Sequence, residues 1–158
     1  MAPIHHSTAL LLGMIDEAFD RTAWHGVTLR GALLGVTDAQ ASWRPSRGRH
    51  NIRELTLHAA YWKYTIRRRL TGATRGSFAL EGSDWFSASP ARTWKEDVRL
   101  LIDEHRLLRA VVAAYPADAL DKAIDRKKQT AAYSIRGIAA HDLYHAGQIQ
   151  LLKRLQRA

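Results

Sequence analysis

Helical periodicity is the feature that most constrains the fold of this chain. Apolar residues recur at steps of three and four in four long segments, and no segment shows the alternation that is typical of a strand. The periodicity predicts principal helices near residues 7–34, 51–71, 94–115 and 134–156, with the first helix broken or kinked near residues 21–26. Four amphipathic helices without a sheet predict an all-α fold, a helical bundle.

Local capping signals mark the second and third helices. Asn51 can cap the second helix while Glu54, three residues later, reaches back to the cap, and Thr93 and Glu96 form the same capping box for the third. Gly72 is a suitable residue to end the second helix. A loop of about twenty residues connects the two helices, and loops of this length in compact domains often have a function.

Length and composition favour one soluble domain over residues 1–158. The N-terminal segment has no basic region before its short apolar run, and no window approaches the ~18 to 20 apolar residues of a membrane span. We therefore expect neither a signal peptide nor a membrane protein. Cysteine is absent, which excludes disulfides and thiolate ligands and is compatible with the cytoplasm, where we expect the protein.

The net charge of +9 raises the question of an anionic partner such as nucleic acid. The basic residues, however, stand in small groups, at 67–69, 126–128 and 153–157, without interleaved aromatic residues. Groups of this kind are typical of solvated helix faces. Nucleic-acid binding is therefore the less favoured interpretation.

Two histidines on the fourth helix carry the strongest functional signal. His141 and His145 are four residues apart, so both imidazoles lie on one face of the helix, inside its apolar stripe. His58, at the edge of the stripe on the second helix, can supply a third ligand to a zinc, nickel, copper or iron ion. Two core histidines bonded to the backbone, or to Asp142 and Tyr144, remain an alternative at this point.

The sequence around these histidines closely resembles the DinB/YfiT-like family of metalloenzymes. The resemblance is carried by two runs, Ile-Ala-Ala-His-Asp-Leu-Tyr-His-Ala-Gly-Gln-Ile at 138–149 and Asn-Ile-Arg-Glu-Leu-Thr-Leu-His-Ala-Ala-Tyr-Trp at 51–62. Shorter matches follow the same order along nearly the whole chain, at Trp24-His25-Gly26, Trp43-Arg44-Pro45, Asp84-Trp85 and Trp94.

The resemblance implies an up-down-down-up four-helix bundle, commonly a homodimer, with one divalent ion (Zn, Ni or Fe) on three histidines. The ligands that match are His58, His141 and His145. Related proteins include transferases that use a low-molecular-weight thiol and proteins induced by DNA damage. The resemblance therefore implies an S-transferase or a hydrolase of a small substrate; the alternative is a metal-binding stress protein without catalytic activity, with nucleic acid as its partner.

Other residues near the histidines have candidate supporting roles. His105 faces the apolar stripe of the third helix, and we expect either a partner or base near the ion or, more simply, a core histidine. Asp142 and Gln148 are candidates to orient the ligand rings. Gly147 weakens the fourth helix, for which we expect close packing against a neighbouring helix.

Overall fold

Helices make up the framework of the protein. The computed structural model describes residues 5–76, 78–87, 89 and 91–157, so the ends of the predicted 1–158 domain lie outside the described residues. Across them run the α-helices α1 (His6–Phe19), α2 (Leu29–Ala32), α3 (Asp38–Ser42), α4 (Ile52–Thr71), α5 (Trp94–Ala114) and α6 (Ala131–Leu155), with a 3-10 turn at Ala117–Ala119. Within this part of the chain the only extended pairing is one isolated bridge, between Ala123 and Thr130. The all-α prediction is confirmed.

The predicted caps set the boundaries of α4 and α5. The Asn51 side chain accepts a hydrogen bond from the backbone N–H of Glu54 at 2.8 Å, and Glu54 accepts one from the N–H of Asn51 in return. Thr93 and Glu96 form the same reciprocal pair at α5. Gly72 ends α4 with φ of 67°, in the left-handed region that glycine adopts without strain.

The first helix, predicted over residues 7–34 with a break near residues 21–26, is divided at that place in the structure. α1 ends at Phe19, and α2 begins at Leu29 because the Thr28 side chain accepts a hydrogen bond from the N–H of Gly31 and starts a new helix. Between them Gly26 has φ of 95°, which no helix accommodates. The fourth predicted helix, α6, begins three residues earlier than expected, at Ala131, because Thr130 caps it.

The directions of the long helices follow from the residues that pair between them. α4 runs parallel to α5 and antiparallel to α6, and α1 runs antiparallel to α5. The pairs are Arg53–Asp97 and Arg67–Glu104 for α4 and α5, His58–His145 and Lys63–Asp142 for α4 and α6, and Asp16–Arg109 and Phe19–His105 for α1 and α5. The order is therefore up, down, down, up, and the long connection between the parallel helices α4 and α5 crosses the bundle from end to end.

Aromatic packing holds the α4–α5 connection against α4. Phe86 is buried in a cluster with Leu57, Tyr61 and Tyr64 of α4, and its ring lies 5.4 Å from that of Tyr61. This anchor places the neighbouring Asp84 and Trp85 beside the centre of α4. The connection thus forms one wall of the region in which His58 lies.

Two further features complete the framework. No helix of the described residues is long and apolar enough to cross a membrane.

The close packing expected at Gly147 is wrong, because a Cβ added there would meet no described atom within 4 Å.

Candidate metal centre

Three histidines from two helices converge between α4 and α6. His141 and His145 stand one turn apart on α6, and the antiparallel packing of α4 brings His58 opposite them. The Nε2 atom of His141 lies 3.0 Å from Nε2 of His58 and 3.0 Å from Nε2 of His145. One ligand atom from each residue lies within 4.8 Å of the others. The structure therefore brings together all three histidines singled out in the sequence.

The hydrogen bonds on the far side of two rings fix where their protons lie. His58 Nδ1–H donates to the backbone carbonyl of Asp84 at 2.9 Å, and His145 Nδ1–H donates to Oε1 of Gln148 at 2.6 Å. Because a carbonyl oxygen only accepts, each ring carries its proton on Nδ1 and directs the Nε2 lone pair at His141. Metal-ligating histidines are typically oriented in this way.

Two lone pairs that point at one ring leave a hydrogen-bonding deficit. His141 Nε2 has at most one N–H to offer to the lone pairs of His58 and His145, and its Nδ1 atom is buried without a hydrogen-bond partner among the described residues. Buried polar atoms are normally satisfied. A cation between the three Nε2 atoms would take all three lone pairs, so the donor set fits a metal ion.

The distances between the Nε2 atoms also fit a bound metal ion. Two nitrogens bound at about 2.0–2.1 Å to one ion lie about 2.9 to 3.4 Å apart for bond angles between 90° and 110°. Both Nε2 separations at His141, at 3.0 Å, fall in this range. The residues present are therefore compatible with a divalent ion in geometry and in ligand type.

Burial keeps the three imidazoles neutral. It lowers the pKa of His58 below its ordinary value, although the Asp84 carbonyl opposes the shift. Burial, and to a lesser extent the neighbouring His145, lowers the pKa of His141 to about 3, and burial lowers the pKa of His145 to about 4. All three rings are thus in the form that coordinates a metal at neutral pH.

The α4–α5 connection closes the site on the His58 side. The Trp85 ring stacks on His58 with centroids 3.9 Å apart and on His50 with centroids 3.6 Å apart. The Asp84 carboxylate accepts a hydrogen bond from Trp62 Nε1 at 2.8 Å. Asp84 has φ of 66°, so the carbonyl that holds His58 belongs to a left-handed turn. The sequence offers Asp84-Trp85 only as part of the family pattern and offers no partner for His50.

His105 and Asp142 lie in a separate buried layer of the bundle. The His105 ring stacks on Phe19 with centroids 3.7 Å apart, and burial lowers its pKa to about 3. Asp142, fully buried, forms an ion pair with Lys63; burial raises its pKa to about 6, although Lys63 opposes the shift. Adjacent residues on a helix point in different directions, which is why Asp142 does not follow His141 into the site. Of the two candidates to orient a ring, Gln148 is the one that bonds to a histidine of the group, His145.

The alternative partners proposed for the histidine pair are not those found. The carboxylate of Asp142 binds Lys63, and Tyr144 is 65% exposed, with its ring edge-on to His145 at 5.2 Å. The imidazole nitrogens therefore have no hydrogen bond to Asp142 or Tyr144, and the Nε2 atoms of the three rings face one another.

Comparison with known proteins identifies the family. The family model of the DinB superfamily matches residues 21–149, a range that contains the whole three-histidine group. No curated protein and no solved structure matches the chain. On the strength of the family match, the chain belongs to the DinB superfamily.

Proposed function

We propose that this protein is a divalent-metal-dependent enzyme whose ligands are His58, His141 and His145, and that it transfers a low-molecular-weight thiol to a small electrophile. Hydrolysis of a small substrate is the closest alternative, because both reactions need the same kind of site. When bound, a divalent ion supplies the Lewis acidity that makes a thiol or water nucleophilic near neutral pH.

One observation carries the proposal: two Nε2 lone pairs, held by Asp84 and Gln148, converge on the Nε2 atom of a third, partly buried imidazole. Three protein ligands leave coordination positions for a substrate, which distinguishes a catalytic site from a closed structural one. The chain's own residues then perform three tasks. The imidazoles bind the ion, the Asp84 carbonyl and Gln148 orient the imidazoles, and the Trp85 ring excludes water from the His58 side.

The experiment begins with metal content. Purified parent protein, His145→Ala and His105→Ala are loaded identically and measured by elemental analysis. We expect about one ion per chain in the parent and in His105→Ala, and little in His145→Ala, since two ligands are too few for tight binding. Equal occupancy in the parent and His145→Ala would remove the basis for the site.

Activity is tested on the same three proteins. A screen combines glutathione, bacillithiol or mycothiol with a chromogenic aryl halide, and a parallel screen offers small esters and amides. Turnover that follows metal content in the thiol screen supports the transferase, and turnover confined to the second screen supports the hydrolase. Metal binding without turnover in either screen would favour a stress protein without catalytic activity.

The same non-catalytic alternative includes association with nucleic acid through the +9 charge. A salt titration distinguishes nucleic-acid binding from small-molecule binding, because DNA affinity falls steeply with salt through counterion release. Binding that depends on metal and not on salt belongs to a small-molecule site.

The proposal includes a homodimer, which the family resemblance implies. Tyr144, Leu151 and Leu155 leave large apolar side chains on the surface of α6, with exposed fractions of 65%, 58% and 45%. Apolar residues grouped on one helix often mark an interface. Light scattering should give twice the monomer mass of 17.8 kDa, and the monomer mass at high concentration would contradict the dimer.

A further inference from the structure

We propose that a groove beside His141 receives a benzene-sized apolar group of the substrate, and that Gly137 is the residue that keeps this groove open. The inference deepens the proposed function and rests on it, because it assigns the groove to the substrate of the same site. Apart from His141 itself, and Trp62, which bonds to Asp84, the described residues that line the groove have no part in holding the three imidazoles.

The groove runs along the α4–α6 contact and has His141 in its wall. Its volume is about 150 Å³, and its apolar lining comes from Trp62 and Ile66 of α4 and Ile138 of α6. A dry apolar cavity of about this volume accepts a molecule the size of benzene. Because His141 is in the wall, a group bound in the groove would contact the ring of one candidate metal ligand.

The far end of the groove is polar but close to neutral. Arg69, Gln129 and Tyr133 line it, and Tyr133 precedes His141 by eight residues of α6, which corresponds to about 12 Å. The Arg69 guanidinium already binds the carboxylate of Asp125 at 3.0 Å. The end therefore suits an uncharged hydrogen-bonding tail better than an anion, and the substrate class is an aryl or compact alkyl group with such a tail.

Gly137 has a position that its local packing does not explain. It lies one turn before His141 on α6, so the two residues share a face of the helix. Glycine destabilises the interior of a helix relative to alanine. A Cβ added at Gly137 would meet no described atom within 4 Å, so close helix packing does not require glycine there. A longer side chain would extend instead over the groove beside the His141 ring.

The chain offers a matched control on the same helix. Gly147 is also an exposed glycine inside α6, and a Cβ there would likewise meet no described atom within 4 Å. It lines a different cavity, with His25 and Val27. Gly137→Leu and Gly147→Leu therefore change helix propensity equally, and only the first obstructs the groove.

The test measures binding of 4-fluorobenzyl mercaptan by fluorine NMR, with full-length protein in zinc-loaded and metal-depleted forms. We expect Gly137→Leu to weaken binding at least about tenfold, the usual effect of filling an apolar pocket. Gly147→Leu should bind like the parent, and zinc content should be the same in all three proteins. Circular dichroism confirms that both variants fold.

Failure of this inference differs from failure of the proposed function. Parent-like binding by Gly137→Leu, equal weakening in both variants, or no binding by the zinc-loaded parent would overturn the groove assignment. If the parent holds no zinc but still binds the probe in a manner sensitive to Gly137→Leu, the groove stands and the metal-dependent function fails.

Discussion

Replacement of Gln148 tests how the protein orients His145, a candidate metal ligand, and it leaves His145 itself unchanged. Gln148 Oε1 accepts the hydrogen bond from His145 Nδ1–H at 2.6 Å, and His145 is only 3% exposed. In Gln148→Leu the buried N–H loses its acceptor, and the ring is free to take the other tautomer, in which Nε2 is protonated and cannot coordinate.

The expected loss follows from what such partners contribute elsewhere. Removal of an outer hydrogen-bond partner of a ligating histidine typically costs about 10- to 100-fold in metal affinity, which corresponds to about 1.4–2.7 kcal/mol. His58 is held by a backbone carbonyl, which no substitution removes. Of the two hydrogen-bond acceptors, only the Gln148 side chain can therefore be removed by mutation. Gln148→Glu keeps an acceptor and adds a charge, and we expect affinity equal to or above that of the parent.

The assay is competition for zinc against a chromogenic chelator at pH 7.5. Gln150→Leu is the control, because Gln150 is two residues further along α6 and lines the cavity of His25 and Val27. A dissociation constant that changes less than twofold in Gln148→Leu, or that changes equally in Gln150→Leu, would refute the orienting role.

Three further predictions concern charge and pH. Bound metal should be retained at pH 5.5 and lost toward pH 4 and below, measured by dialysis and elemental analysis, because the lowered pKa values of His141 (about 3) and His145 (about 4) delay proton competition. His105, with a folded-state pKa of about 3, stays neutral while the unfolded chain takes up a proton below about pH 6.5. His105 alone therefore lowers the free energy of unfolding by about 1.4 kcal/mol for each pH unit of acidification between those values, and in urea titrations at pH 6.5 and 5 His105→Leu should reduce the pH dependence by that amount. Lys63→Met should cost about 3–5 kcal/mol by leaving Asp142 unpaired and buried, whereas adding Asp142→Leu should restore most of the loss; equal stability of the single and double variants would contradict this.

Local sequence determined most of the helical framework and the placement of two of the three candidate ligands. The caps Asn51 with Glu54 and Thr93 with Glu96 act over three residues, so the sequence predicts the beginnings of α4 and α5 correctly. The spacing of His141 and His145 places both rings on one face whatever the rest of the chain does. These features depend only on the geometry of a single helix.

The tertiary structure decided which side chains meet across helices. His58 is 83 residues from His141, and Lys63 is 79 residues from Asp142; both contacts exist because α4 packs antiparallel to α6. Asp142 follows the candidate ligand His141 in the sequence, but helical periodicity says nothing of the lysine that binds Asp142. The sequence predicts that the first helix is broken, whereas the exact ends of the break depend on the cap at Thr28 and the left-handed Gly26.

The orientation of the imidazoles belongs to the tertiary structure for a further reason. The group that holds His58 is the backbone carbonyl of Asp84, which every residue type carries, so no residue identity predicts it. It reaches His58 because Phe86 anchors the connection on α4. Residue types alone therefore determined which rings can bind a metal, whereas the packing of a loop on a helix determined that their lone pairs point at one place.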